Sequence, residues 1–167
     1  FIRGKISNQR ALLARLVRDN EATVVARSVE QLRERYLSID SVGSVESLMG
    51  VEGSAADSYW TAFRHLLPEW CQFEGRRHSP PPDEVNALLS FGYTLLTGEA
   101  VSAVMATGLD PGVGVIHAEG NDKPSLALDL MEEFRPLVVD SVVVELDRKS
   151  TRLNSSHVSE SRMPSSA

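Results

Sequence analysis

Leu48-Met49-Gly50-Val51-Glu52-Gly53-Ser54-Ala55-Ala56-Asp57-Ser58-Tyr59-Trp60-Thr61-Ala62-Phe63-Arg64-His65-Leu66-Leu67-Pro68 spells a helix in its apolar residues. Leu48, Val51, Ala55, Tyr59 and Phe63 recur at spacings of three and four, which puts them on one face of a 3.6-residue turn, and the stripe continues to Leu67. Pro68 ends it, because proline lacks the N–H that the next turn needs and its ring clashes with the turn before. Ser44 or Ser47 stands where a side-chain oxygen would cap the start. Upstream the same periodicity appears in Leu12, Leu13, Leu16 and Val17 and again in Val24, Val25, Val29 and Leu32, so the chain as far as Ile39 reads as mainly helical.

Downstream, Glu74-Gly75-Arg76-Arg77-His78-Ser79-Pro80-Pro81-Pro82 reads as a loop, and Asp83 caps a helix carrying Asn86, Leu88, Leu89, Phe91 and Tyr93. Gly98 is expected to separate that helix from another over 99–107. Gly108, Pro111, Gly112 and Gly114 make a turn-rich segment that delivers Val115, Ile116 and His117. Pro124 and Ser125 open a helix through Leu128, Leu130, Met131 and Phe134. The run 137–146 is ambiguous, since its valines favour a strand and its neighbours favour helix. These elements predict an all-α domain over 1–147. The remainder, 148–167, is rich in serine, has no apolar period, and is expected to be a disordered tail foreign to the domain, which removes His157 and Arg162 from any site.

A chain of 167 residues that is 42% hydrophobic and 24% charged can bury one sizeable core. No apolar run in it reads as long enough to cross a bilayer. Phe1 stands where neither an initiator methionine nor a secretory leader begins, so the N-terminus is expected to be a cut point in a longer protein. The single cysteine, Cys71, excludes an intramolecular disulfide and suits a reducing compartment, hence the cytoplasm. A net charge of -6 argues against a nucleic-acid surface, yet Phe1 to Ile39 holds eight Lys and Arg residues against four acids, leaving -10 for the rest. For any one of those basic residues, a solvated helix face is the plainer reading.

Asp129 and Glu132 lie three apart beside the apolar frame Leu126, Leu128, Leu130 and Met131, so they share a face on which two carboxylates could grip one cation; Glu133 points elsewhere, to the surface. Acids early in a helix also simply complement its dipole. Glu52 lies between Gly50 and Gly53, two residues that weaken a helix and tolerate close approach of another group; tight helix packing with an exposed Glu52 is the alternative. His117, after its run of turn glycines, is either a half-buried imidazole or a metal ligand and base. His65, His78 and Cys71 lack any ligand pattern. A metal-free hydrolase using His117 with Asp129 would need a nucleophile turn such as Gly-x-Ser-x-Gly, which is absent.

Several stretches together carry a resemblance: Gly4 to Arg10 (GKISNQR), Met49 to Gly53 (MGVEG), Pro81 to Tyr93 (PPDEVNALLSFGY), Gly108 to His117 (GLDPGVGVIH) and Ser125 to Pro136 (SLALDLMEEFRP). In this collinear order they resemble the CRISPR-associated endonuclease Cas1, the integrase of spacer acquisition, from Phe1 to Leu146. The resemblance implies a C-terminal helical catalytic domain in which Glu52, His117 and Glu132 hold Mg²⁺ or Mn²⁺, with Asp129 an accessory acid beside them. It implies attack of a DNA 3′-hydroxyl, or of water, on a phosphodiester, inserting spacer DNA into a CRISPR array. Lys5, Arg10, Arg76 and Arg77 become candidates for phosphate contact. Asn86, Ser90 and Tyr93 match the family's signature helix. Family members act as homodimers with the partner Cas2, and the family's N-terminal β-rich domain has no counterpart in this chain. The competing expectation is a helical DNA-binding or assembly module without catalysis, or an inactive fragment.

Overall fold

Ile2, Ile6, Gln9, Leu12, Leu13 and Leu16 fall on one face of helix α1 (Ile2–Leu16) and are buried, which makes α1 the element around which the others pack. The computed structural model of the chain describes residues 1–17, 22–77, 79–117 and 123–146, and His78 and the segment 147–167 lie outside it. On one side of α1 lie α2 (Ala22–Ser38) and α3 (Val45–Leu66); on the other lie α5 (Ser125–Phe134) and the turn that follows it. α4 (Glu84–Ala106) packs on α5 and that turn. Among the described residues there is no strand, and the domain is all-α.

The caps follow the sequence. Ser44 accepts a hydrogen bond from the N–H of Ser47, and Asp83 accepts one from the N–H of Asn86, so each helix start satisfies a backbone donor that would otherwise be orphaned. Tyr59 and Phe63, both fully buried on α3, meet Trp60 and Phe73 in edge-on and tilted ring contacts with centroids 4.9 to 6.0 Å apart. Burial of each large ring stabilises the fold by about 1.5–3 kcal/mol, which makes this cluster the anchor of the α1–α2–α3 half.

Two elements differ from the sequence reading. α4 runs unbroken through Gly98, where an added Cβ would meet nothing. The glycine lowers helix stability by only about 1 kcal/mol, less than a helix of 23 residues gains from its other turns. The valine-rich run 137–146 resolves as helix: Arg135–Asp140 is a π-helical turn and 141–146 continues as α-helix, here α6. Its valines at 139, 143 and 144 are buried, so packing on α1 and α4 overrides their strand preference. α4 also corrects the expectation on apolar length: its 18-residue window of mean hydropathy 1.3 is long and apolar enough to cross a membrane by composition, although only 11% of that window is buried. Leu88, Phe91, Leu95 and Met105 on α4, with Phe134 at the end of α5 and Leu137, Val138, Val142 and Leu146 beyond it, leave a broad exposed apolar surface.

Candidate active site

Gly4 sets the site up. A Cβ at Gly4 would fall on the side chain of Glu133, so with glycine there that side chain can lie against α1 without moving aside, and Asn8 donates to the Glu133 carbonyl at 2.7 Å to hold the approach. Glu133 is therefore half-buried against α1 and not the surface acid that its position suggested. One residue on from Gly4, Lys5 projects between α3 and α5. Its Nζ lies 2.5 Å from Glu52 Oε1 and 2.6 Å from Glu132 Oε2. The three side chains are only 11%, 20% and 6% exposed, so these are shielded charges and not a rim ion pair. Arg135 adds a second cation, 2.8 Å from Glu132 Oε1, and the four charges balance.

Beside this group opens a cleft of about 740 Å³ between α3 and α4, lined by Lys5, Glu52, Arg76, Ser90, Tyr93 and Arg135 among others. Arg76 and Arg135 both stack on the ring of Tyr93, at 5.2 and 4.8 Å. Arg76 is also fixed by Asn86 and Ser90, at 3.1 and 3.0 Å. Below them Asp140 is fully shielded and accepts hydrogen bonds from the hydroxyls of Tyr59 (2.7 Å) and Tyr93 (2.6 Å). Burial pushes the Asp140 carboxyl up to about 6, against the opposing pull of the two tyrosines, Arg135 and Lys5. Burial and the Asp140 charge drive both phenols well above their usual value, so they remain donors.

His117 is positioned separately. Gly114 lies against Ser125 and the His117 carbonyl, where a Cβ would be within 2.5 Å of the Ser125 side chain, and this closeness folds the loop back on the start of α5. There Asp129, with no exposed surface, accepts from the N–H groups of Val115, Ile116 and His117 and meets His117 Nδ1 at 2.6 Å. Burial alone would raise the Asp129 carboxyl, but the Ile116 and Val115 N–H groups, then His117, hold it below the usual carboxylate range. An ionised Asp129 makes Nδ1 the donor, so that in the neutral ring it is Nε2 that offers a lone pair to another partner. Among the described residues, no three His, Cys, Asp or Glu side chains stand close enough to share one ion. The structure thus brings Glu52 to Glu132 and His117 to Asp129, as two pairs.

The sequence pattern of the family described as CRISPR associated protein Cas1 matches residues 1–162. The chain belongs to the Cas1 family. The Cas1-family relatives include the CRISPR-associated endonuclease Cas1 3 of Thermus thermophilus, 46% identical over 146 residues, which cover 87% of this chain and 42% of the relative. Among solved structures, one titled as a Cas6-RT-Cas1–Cas2 complex superposes with a TM-score of 0.81 at 30% identity, over 90% of this chain and 16% of that one. A casposase bound to integration product superposes at 0.65 and 28% identity, over 90% and 43%. The chain spans less than half the length of the Thermus relative it matches.

Of the phosphate-contact candidates in this Cas1 chain, Arg76 lines the cleft and Arg77 is exposed, 4.0 Å from Glu74. Lys5 instead faces the two carboxylates, and Arg10 is half-buried, its shielded Nε lacking a hydrogen-bond partner among the described residues. Gly50 and Gly53 have nothing within 4 Å of an added Cβ, so neither marks a tight helix contact. His65 is exposed and Cys71 buried. Asn86 clasps the loop through Gly75 and Arg77, while Tyr93 packs on Asp140, which gives both residues structural work at the cleft. Sequence reasoning missed Arg135, Asp140 and Tyr59. Arg135, three residues after Glu132 within the Glu-Glu-Phe-Arg-Pro stretch, carried a usable i,i+3 signal; Asp140 carried none.

Proposed function

We propose that this chain is the catalytic part of a divalent-metal-dependent DNA endonuclease and integrase that inserts spacer DNA into a CRISPR array by attack of a 3′-hydroxyl on a phosphodiester. The observation that carries the reading is the meeting of Glu52 from α3 and Glu132 from α5 on one shielded cation at the wall of an arginine-lined cleft. That cation is the Lys5 ammonium, and its position between the two carboxylates supports reading them as ligands for an ion. Glu52 and Glu132, joined by the Nε2 of His117 once the two pairs draw together, would hold Mg²⁺ or Mn²⁺, the oxygens suiting both and the imidazole adding tolerance for Mn²⁺. When bound, the metal supplies neutralisation of the charge that builds on the phosphate in the transition state.

The chain's own residues do the rest. Asp129 orients the His117 ring through Nδ1. Arg76 and Arg135, fixed on Tyr93, face the cleft as phosphate contacts, and Arg77 extends that basic edge. The proposed substrate is DNA, the proposed assembly a homodimer with a Cas2 partner, and the proposed compartment the cytoplasm; the solved structures titled for a Cas2 complex and an integration product support the DNA substrate and the Cas2 partner. The exposed apolar surface of α4 and α6 favours a second reading, a non-catalytic assembly or DNA-binding module, which needs no metal.

Calorimetric titration of Mn²⁺ into the full chain separates the two. Saturable binding that is lost in Glu52→Ala and in Glu132→Ala, with helicity unchanged, is the expected result. A well-folded wild-type chain that takes up no Mn²⁺ would overturn the metal-dependent reading and leave the assembly module. Asp129→Asn is expected to weaken Mn²⁺ by about 10–100-fold, the usual cost of losing the carboxylate behind a metal-bound histidine.

A further inference from the structure

Lys5 does something that a lysine seldom does. Its kind of ammonium normally stays in water at the end of a flexible stem, and shielding it is costly unless opposite charges meet it. Here the cost is offset by two carboxylates from different helices, and without the ammonium those carboxylates would face each other at repulsive range. The oxygens that Lys5 touches, Glu52 Oε1 and Glu132 Oε2, are the ones the two carboxylates turn toward a shared cation. Glu132 Oε2 is buried and makes no aligned hydrogen bond, so its contact with Lys5 is ionic and another cation can replace it, and the one directional bond a departing Lys5 gives up here is its hydrogen bond to Glu52 Oε1. The other oxygen of Glu132 is held by Arg135 and does not depend on Lys5. Lys5 and Glu52 also line the cleft, which gives a displaced ammonium an open space beside Arg76 and Arg135.

We propose that Lys5 is a resident placeholder: its ammonium holds Glu52 and Glu132 together before metal arrives, and a divalent cation drives it into the cleft, where it joins the arginines facing the phosphate. This rests on the metal-binding reading above. The metal-bound site then gains two positive charges while keeping the lysine's within reach of the substrate.

Amine acylation read by mass spectrometry tests displacement on the wild-type chain, with the exposed Lys123 as internal reference. Saturating Mn²⁺ is expected to raise Lys5 labelling about tenfold relative to Lys123, as a shielded ion-paired amine becomes a free one. Lys5→Met, which keeps the stem, is expected to bind Mn²⁺ about tenfold more tightly by calorimetry and to unfold at a lower temperature without metal, because the competing cation has gone. Lys5→Arg, which retains the cation, should stay near wild type. Saturable Mn²⁺ binding with unchanged Lys5 labelling, or a Lys5→Met chain that binds no more tightly, overturns the placeholder and leaves the metal reading standing. No Mn²⁺ binding by either natively helical protein overturns both.

Discussion

Asp140 is the residue whose chemistry departs furthest from its surroundings. Its carboxyl titrates near 6 when folded and near 3.8 in its ordinary state, so the folded chain holds the proton more tightly. Below about pH 4 both states are protonated and this group's contribution is fully present. Between about pH 4 and 6 the unfolded chain loses the proton first, and stability falls with rising pH, by about 3 kcal/mol for a shift of that size. Urea unfolding across pH 4 to 7 is expected to show that decline, and Asp140→Asn is expected to flatten it. Asp129 acts in the opposite sense: its depressed carboxyl contributes above its ordinary range and loses that contribution as the medium becomes more acidic. At this scale the sequence was readable where neighbours are local. Asp129 and Glu132 could be placed on one face from their spacing, whereas Lys5 meets Glu52 across 47 residues and no local pattern encodes that pairing.

Helix α4 shows both what periodicity reveals and where it misleads. Its start is legible in Asp83 and its apolar content in Leu88, Leu89 and Phe91, but Gly98 reads as a break in sequence because a glycine's small cost within a long helix depends on what surrounds it. Two glycines on this helix now differ in expected outcome. Gly98→Ala, with open space around it, is expected to stabilise by up to about 1 kcal/mol. Gly92→Ala would place its methyl 2.5 Å from Val139 Cγ1, which is buried, and overpacking of about 1–3 kcal/mol is expected to outweigh the helical gain. Chemical denaturation at one pH distinguishes the pair by the direction in which each midpoint moves.

Over the whole molecule, the core of α1, α2 and α3 was legible because its stripes are narrow and each buries one face. The surface of α4 and α6 was not, since apolar content marks the helix at Phe91 without telling which side is covered, and Phe91 and Leu95 are 65% and 57% exposed. Phe91→Glu is expected to change stability by no more than about 0.5 kcal/mol while lowering binding of a hydrophobic dye, because no packing is lost. A substantial loss of stability would mean that the ring is covered in solution. The π-helical turn at Arg135–Asp140 links this surface to the site. Its wider i→i+5 winding holds one residue more than an α-turn would, and that surplus lets Glu132 face Lys5 while Asp140 faces the tyrosines. The wide turn absorbs its surplus residue, so the helix beyond keeps the phase it would have after a regular turn, whereas one more residue inserted without further widening would swing everything beyond it by about 100°. Sequence drift in this stretch is therefore constrained in length before it is constrained in identity: substitutions at Leu137 or Val138, both half-exposed, can accumulate, whereas an insertion of one would misaim the buried carboxylate.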